Sequence, residues 1–342
     1  MIVSPALAEA NNGNWRTAHR WARWLSDDHR VRTVREWPDA HAAGDSVMLA
    51  LHARRSAGSI AGWARLHPQR GLAVVLTGTD LYRDIAVDAD ADSLHSLAVA
   101  TRLVVLQPMA IAALPPEMRS KACVILQSVS SRAPLTKPNH RLLAVMVGHL
   151  RDVKSPRTLM DAARLLPSAS GIAIRHIGAA QEPLWADAAR AAENDCAAYR
   201  WLGELPHPRT RDWIQRAHVL VHTSAMEGGA HVIIEAVCSG TPVVASRVDG
   251  NVGLLGEGYA GYFEHGDAAG LARLLIRCRE EQTSKTPADG LLQRLRAQCA
   301  ERAPLFSPMA ERDALRSLVA QLAAQLAAHP ARDAPPDHLE QT

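Results

Sequence analysis

Residues 218–246, HVLVHTSAMEGGAHVIIEAVCSGTPVVAS, decide the fold class because they combine a buried strand, a loop, a helix and a second strand. The apolar run 218–222 is typical of a parallel strand covered on both faces. After a small and polar loop, apolar residues at helical spacing indicate a helix over 230–239. Gly240 and Pro242 end this helix, and a new strand follows at once. The order of these elements predicts an α/β fold with a parallel sheet.

The loop and the start of the helix carry the residues expected to bind a ligand. Gly228, Gly229 and Ala230 are expected to open the helix, where free backbone amides and the helix dipole favour a phosphate. Glu227 precedes them, and Glu235 follows eight positions later. Eight residues of ideal helix rotate by about 80° and rise by about 12 Å, so the two carboxylates cannot share a proton. They suit two hydroxylated rings on either side of a diphosphate, which predicts a nucleotide-sugar site with the sugar at Glu227 and the ribose at Glu235.

Length and composition limit the kind of protein. A chain of 342 residues exceeds what one hydrophobic core usually supports, so two domains are expected. The net charge of +3 forms no basic stripe and argues against a nucleic-acid partner. Five scattered cysteines without metal spacing predict reduced thiols and no metal site. The N-terminus lacks a signal-peptide pattern, and no apolar run approaches the roughly 20 residues of a membrane span. We therefore expect a cytoplasmic monomer or homodimer without membrane association.

Strand-like and helix-like segments alternate in both halves of the chain. This rhythm predicts two Rossmann-like, doubly wound domains joined by a hinge, residues 1–135 and 136–312. Within this plan, residues 128–140 are rich in Ser and Pro and indicate a linker. Segment 313–329 is expected to be a helix that packs back across the domains, and 330–342 a disordered tail. The predicted strands are 2–4, 47–51, 72–76, 103–106, 123–126, 142–147, 172–177, 199–202, 219–222, 243–245 and 259–263.

Polar residues at the ends of the N-terminal strands are candidates for a second ligand site, because doubly wound sheets bind ligands beyond the carboxyl ends of their strands. Arg54 and Arg55 suit an anionic acceptor, since a guanidinium binds phosphate through paired hydrogen bonds. Thr79 and Asp80 can either cap the next helix or position the acceptor. The candidates for the acceptor are Asn12, Asn14, Arg16, Arg54, Arg55, Thr79 and Asp80, and Gly13 is assigned to the donor phosphate, although Asn and Gly also form ordinary turns.

The E-x7-E spacing of Glu227 and Glu235 resembles the family 4 group of retaining GT-B glycosyltransferases. A second segment, GHLRDVKSP at 148–156, is similar to the family pattern G-R-L-x-x-x-K-G, whose Arg and Lys clamp the nucleotide diphosphate. Lys154 matches the family lysine. His149 stands where the family has arginine, and Arg151 can supply the missing guanidinium.

This resemblance, with a third match at GYFEHGD over 261–267, implies a GT-B fold and a UDP-sugar donor held by the C-terminal domain. In the GT-B fold the two domains face a central cleft. No metal is expected, since the sequence contains no cluster of metal ligands, and no cofactor is expected, since the UDP-sugar is a substrate. The roles that the resemblance implies are catalytic for Glu227, Lys154 and Arg151, and donor-binding for His149, Gly228, Gly229, Ala230 and Glu235.

Four further sequence segments indicate one branch of this family: NNGNWRTA at 11–18, HARRSA at 52–57, LTGTDLYRD at 76–84 and SRVDGNVG at 246–253. Together with the loop around Glu227 they resemble the selenosugar synthases of selenoneine biosynthesis, a branch of this family. Such enzymes join selenophosphate to the sugar of UDP-N-acetylglucosamine or UDP-glucose. Thr77 replaces the histidine of the common H-G-x-D motif, which implies a different acceptor arrangement. The alternatives are a transferase with an alcohol, lipid or saccharide acceptor, a UDP-sugar epimerase, and a non-catalytic nucleotide-sugar-binding protein.

Overall fold

The computed structural model describes residues 1–7, 13–283 and 290–328, with only the backbone described over 325–328. It contains two parallel six-stranded sheets flanked by helices, which confirms the predicted α/β class. The N-terminal half consists of β1 (Ile2–Val3), α1 (Gly13–Leu25), β2 (Thr33–Val34), β3 (Met48–Leu51), α2 (Ala57–Leu66), β4 (Leu72–Val75), α3 (Ala91–Val99), β5 (Arg102–Val105) and β6 (Ala122–Val124). Its strand order is β2-β1-β3-β4-β5-β6.

The C-terminal half forms the second sheet. Its elements are β7 (Leu142–Val147), α4 (Pro156–Arg164), β8 (Ile172–Ile177), α5 (Pro183–Asp195), β9 (Tyr199–Trp201), α6 (His207–Arg216), β10 (Val219–His222), α7 (His231–Val237), β11 (Val243–Ser246), α8 (Asp249–Leu255), β12 (Tyr262–Phe263), α9 (Ala268–Thr283), α10 (Leu291–Arg302) and α11 (Pro308–Ala328). The strand order is β12-β11-β10-β7-β8-β9. The winding reverses between β7 and β10, and ligands of doubly wound sheets bind outside the carboxyl ends of the strands at such a point.

The helix α11 returns from the C-terminal half to the N-terminal sheet. Its buried side chains Leu315, Leu318 and Leu322 pack with Trp21 of α1 and Leu49 of β3. The helix begins at Pro308 rather than at residue 313, because proline fits the first helical turn, where its missing amide needs no partner. Residues 125–141, which contain the predicted linker, form neither helix nor strand. The predicted tail 330–342 lies outside the described residues.

A buried carboxylate fastens α11 to α1. Oε1 of Glu311 accepts hydrogen bonds from Nη2 of Arg20 at 2.8 Å and from Nε1 of Trp21 at 2.7 Å. Removing one partner of a buried pair leaves the other charge uncompensated. We therefore expect Glu311→Ala to lower the free energy of unfolding of the N-terminal domain by about 3 kcal/mol, measured by urea unfolding. Asp313→Ala on the same helix is the matched control, because that carboxylate is 63% exposed. An equal decrease in the free energy of unfolding in both variants would show that the buried Glu311 contributes no more to stability than the exposed Asp313.

Three buried histidines in the C-terminal domain make its stability depend on pH. Burial lowers the pKa of His176, His218 and His222 to about 4 in each case. The folded protein keeps these rings neutral, whereas the unfolded chain binds protons at each ring below its ordinary pKa near 6.5. The free energy of unfolding should therefore fall as the pH decreases from about 6.5 toward 4, by up to about 3 kcal/mol for each of the rings of His176 and His222 and by less for the better solvated His218. Urea midpoints measured at pH 7.5 and pH 5 test this, and equal midpoints would contradict it.

Candidate active site

The carboxyl ends of β7 and β10 bring together two of the predicted residues. Lys154 lies in the turn after β7, and Glu227 lies in the loop after β10. Nζ of Lys154 donates to Oε1 of Glu227 at 2.5 Å. Nε2 of His222, the last residue of β10, lies 3.4 Å from the same oxygen. Adjacent parallel strands end at the same sheet edge, and this explains why residues 73 positions apart meet there.

The charges of this cluster follow from its burial and its partners. Burial alone would raise the pKa of Glu227, but the ammonium of Lys154 and the neighbouring His222 outweigh burial and lower it to about 2. Burial lowers the pKa of His222 to about 4 even though Glu227 acts in the opposite direction. At neutral pH the site therefore holds a carboxylate, an ammonium group and a neutral imidazole.

Glu235 lies on α7 and is held by two histidines. Its Oε1 lies 2.6 Å from Nε2 of His207 at the start of α6 and 3.4 Å from Nδ1 of His231. Burial would raise the pKa of Glu235, but these two imidazoles more than compensate and hold it far below the ordinary glutamate range. The carboxylate predicted to bind ribose is therefore ionised, with two imidazoles beside it.

The loop before α7 differs from the sequence prediction. The helix begins at His231, with Ala230 as its N-cap residue, and not at Gly228. The rotation calculated for eight helical residues between Glu227 and Glu235 therefore does not apply, because the first part of the interval is a loop. Gly228 also lies outside the helix, so its amide does not form the end of a helix dipole.

The two glycines of this loop are needed where the N-terminal domain approaches. A β-carbon on Gly228 would lie 2.6 Å from the amide nitrogen of Gly78, and one on Gly229 would lie 2.8 Å from Cβ of Leu106. Gly78 follows β4 and Leu106 follows β5, so the ends of two N-terminal strands press against the loop that holds Glu227. Domain contact thus accounts for the small residues, and donor binding by this loop stays a prediction.

His149 lies within reach of several cationic side chains. Its Nδ1 accepts a hydrogen bond from the backbone after β8 at 3.2 Å. Burial lowers the pKa of His149; Glu204 opposes this effect, while Arg151, Lys154 and Arg16 add to it. Arg16 belongs to α1, so the N-terminal domain contributes one of these charges. Arg151, Lys154 and Arg16 thus contribute positive charge around His149.

The first turn of α1 follows the carboxyl end of β1. The structure places Gly13, Asn14 and Arg16 in this turn, and a β-carbon on Gly13 would meet no described atom within 4 Å. Asn12 lies outside the described residues. The assigned contacts of this turn with the donor and the acceptor stay predictions.

Asp80 connects the ends of β3 and β4. Its buried carboxylate accepts hydrogen bonds from the amide of Thr77 at 2.7 Å and from the amide of Ala53 at 3.0 Å. His52 adopts the left-handed φ of 71°, and its Nδ1 lies 3.8 Å from the same carboxylate. Nε2 of His52 lies 3.5 Å from Oγ1 of the half-buried Thr79. Asp80 therefore stabilises the two loops, and Thr79 is the more accessible member of the pair.

The two adjacent arginines after β3 differ in their surroundings. The guanidinium of Arg54 lies 3.5 Å from Asp84 and 3.3 Å from Asp90, so two carboxylates neutralise it. Arg55 is exposed and forms no ion pair with any residue that the structure describes. Burial lowers the pKa of His52, and Arg55 lies near enough to lower it further. The available positive charge beside His52 thus belongs to Arg55.

Comparison with known proteins identifies the family. The sequence model of Glycosyl transferases group 1 matches residues 129–303, just over half of the chain. The chain belongs to this family. The D-inositol 3-phosphate glycosyltransferases of Streptomyces coelicolor and Streptomyces griseus subsp. griseus are both 31% identical, over 165 and 196 residues. These matches cover 43% and 52% of this chain but 34% and 38% of the relatives, so the chain spans about a third of their length.

Solved structures confirm the GT-B fold of this group 1 glycosyltransferase family member. Sucrose-phosphate synthase from Thermosynechococcus elongatus superposes with a TM-score of 0.73 at 19% identity, covering 94% of this chain and 98% of that chain. Anabaena HepE in complex with UDP gives a TM-score of 0.62 at 18% identity, covering 81% and 79%. At this identity the likeness establishes the architecture, with two α/β domains on either side of a cleft.

Three histidines near the predicted glutamates are not identified by sequence reasoning: His207, His222 and His231. Only His222 carries a signal in the sequence, since it is a polar residue at the end of an otherwise apolar strand. His207 and His231 are the first residues of α6 and α7, and their approach to Glu235 depends on the tertiary fold. Conversely, Asp267 in the third family-like segment has a structural role, because its Oδ1 accepts a hydrogen bond from the amide of Gly270 at 2.7 Å.

The described residues were compared with the requirements of a metal site and of a membrane-spanning helix. Among them, no group of three or more His, Cys, Asp or Glu side chains could hold a metal ion. No described helix is long and apolar enough to cross a membrane.

Proposed function

We propose that this chain is a UDP-sugar-dependent glycosyltransferase of the selenosugar synthase type. It transfers the sugar of UDP-N-acetylglucosamine or UDP-glucose to selenophosphate and forms a 1-selenosugar for selenoneine biosynthesis. The observation that carries the proposal is the ion pair of Lys154 and Glu227 at the β7/β10 switch point, opposite the N-terminal strand ends. The proposed identity of the acceptor rests on the sequence resemblance. The positive charge around His149 supports binding of the diphosphate.

Each charged group has a defined task in this reaction. Lys154, with Arg151 of the same domain, stabilises the negative charge that builds on the leaving diphosphate, the preorganised electrostatic effect that dominates many enzymes. Glu227 accepts a hydrogen bond from a sugar hydroxyl, and Glu235 accepts one from the ribose. The ribose must therefore compete with His207 for the carboxylate of Glu235.

The reaction requires no oxidation or reduction, and each step breaks one bond and forms another. The bond between C1 of the sugar and the diphosphate oxygen breaks, and UDP departs with the electron pair. The anionic selenium of selenophosphate donates a pair to C1, so this step requires no general base. Water then cleaves the selenium–phosphorus bond, which gives inorganic phosphate and the selenol of the 1-selenosugar.

The acceptor assignment predicts different effects for two neighbouring arginines. Arg55→Ala should raise the KM for selenophosphate by about tenfold or more, because a charge-assisted hydrogen bond to phosphate is lost. Arg54→Ala is the matched control, since Asp84 and Asp90 already neutralise that guanidinium. The KM for the UDP-sugar should stay unchanged in both variants. A change in the donor KM, or equal acceptor effects from both arginines, would contradict this assignment.

Mass spectrometry of the products tests the proposal as a whole. The protein is incubated with UDP-N-acetylglucosamine or UDP-glucose, with and without selenophosphate. A sugar with the selenium isotope pattern, formed only when both substrates are present, is the expected result. UDP release without a selenium product would favour an alcohol, lipid or saccharide acceptor. Isomerisation of the UDP-sugar without an acceptor would favour an epimerase, and no turnover despite UDP binding would favour a binding protein.

A further inference from the structure

His222 is a buried histidine that the proposed reaction does not use directly. It ends β10, whose other residues, Val219, Leu220 and Val221, are apolar and fully buried. Its side chain is 2% exposed, and Nδ1 has no hydrogen-bond partner among the described residues. An unpartnered buried polar atom destabilises a fold, and a valine or leucine here would avoid that cost. A compensating role therefore has to come from the other ring nitrogen.

The other ring nitrogen, Nε2, faces the candidate catalytic carboxylate. It lies 3.4 Å from Oε1 of Glu227 and 3.4 Å from Oγ of Ser224. Lys154, His222 and Ser224 all lower the pKa of Glu227, against the effect of burial. The closest contacts of Lys154 and His222 are both with Oε1, so protein donors converge on one oxygen of the carboxylate.

We propose that His222 is a positioning residue that donates its Nε2–H to Oε1 of Glu227 and turns Oε2 toward the donor sugar. The inference rests on the proposed role of Glu227 as a ligand of that sugar. A neutral imidazole carries one proton, so donation from Nε2 leaves Nδ1 as the unprotonated nitrogen. In this tautomer the buried Nδ1 carries a lone pair and has no hydrogen-bond donor among the described residues. His222 acts through Glu227 and does not touch the substrate.

Two substitutions separate the hydrogen bond from the volume of the ring. His222→Phe keeps a planar ring but removes the donor, whereas His222→Gln places an amide N–H near the position of Nε2. His176→Phe is the matched control, because His176 is also a fully buried histidine with an unpartnered nitrogen, in β8 beside Tyr199. All variants are tested as the full chain with UDP-N-acetylglucosamine and selenophosphate, and UDP affinity is measured by titration calorimetry.

We expect His222→Phe to lower kcat by about 10- to 100-fold, as a misplaced catalytic group does, with the Kd of UDP within about twofold of wild type. His222→Gln should recover most of this loss, and His176→Phe should leave kcat within about threefold of wild type. If the wild-type protein turns over and His222→Phe and His222→Gln have equal kcat values, the role of His222 is overturned. The proposed function would stand in that case. Absence of UDP binding by the wild-type protein overturns the proposed function, and this inference with it.

A spectroscopic measurement on the wild-type protein is independent of whether the Phe variant folds. Nitrogen-15 NMR of the histidine rings distinguishes the two neutral tautomers, and the His222 signals are assigned by their loss in His222→Gln. The Nε2–H tautomer at pH 7 supports the proposed donation to Glu227. The Nδ1–H tautomer overturns it.

Discussion

Lys154→Met is expected to lower the kcat of sugar transfer by about 100- to 1,000-fold, because a fixed charge opposite the developing negative charge of the diphosphate is lost. The side chain of Lys154 is 19% exposed in the cleft, and its ammonium contacts Glu227 directly. Initial rates of UDP release at saturating donor and acceptor measure the effect. Lys121→Met is the control, since that ammonium donates to the carbonyls of Leu97 and Ala98 in the N-terminal domain.

The same substitution separates stability from catalysis. Without Lys154 the largely buried carboxylate of Glu227 loses its main compensating charge, so Lys154→Met should also destabilise the C-terminal domain by about 3 kcal/mol. The double variant Lys154→Met with Glu227→Gln should regain most of that stability, because the uncompensated charge is gone. Its kcat should remain as low as that of the single variant. Recovery of both properties together would mean that Lys154 matters only for folding.

Gly228→Ala is expected to lower kcat by about 100-fold while UDP affinity changes little. The added β-carbon would lie 2.6 Å from both the amide nitrogen of Gly78 and the carbonyl carbon of Thr77. These atoms belong to the backbone, so the two domains must separate to make room. Lys154 and Glu235, which we propose to bind the donor, belong to one domain, and their geometry survives such a movement.

Gly44→Ala provides the control for a glycine-to-alanine change, since a β-carbon there meets nothing within 4 Å in the part of the chain that the structure describes. The Gly228→Ala experiment combines UDP titration calorimetry with initial rates. A turnover equal to that of wild type would show that catalysis does not need the contact between the two loops. A large loss of UDP affinity would instead indicate that the backbone around Gly228 binds the donor, as the sequence analysis predicts.

The sequence predicted those parts of the protein that follow from periodicity and strand topology. Apolar runs of strand length are visible without a structure, and parallel strands place their following loops at one edge of the sheet. The meeting of Lys154 and Glu227 is a consequence of these two facts. The short strand β2 was not predicted, because its two half-buried residues, Thr33 and Val34, form no apolar run.

The remaining features depend on contacts between distant segments. Arg54 and Arg55 look equivalent in the sequence, and only the fold brings Asp84 and Asp90 to one of them. Gly228 suggested a phosphate-binding turn, but the approach of Gly78 from the other domain is a tertiary event that no local pattern reports. Local patterns therefore indicated where the site lies, and they were less informative about which neighbours each side chain has.

The path of α11 bears on the order in which the two domains can be completed during synthesis. The C-terminal sheet and its core are drawn from one continuous stretch, roughly residues 142–306. The N-terminal sheet also needs Leu315, Leu318 and Leu322, which leave the ribosome after that whole stretch. The domain that is translated first is therefore the last to cover its apolar face, in contrast to the usual N-to-C order of domain folding. Until α11 emerges, that face is exposed to chaperones and to other nascent chains.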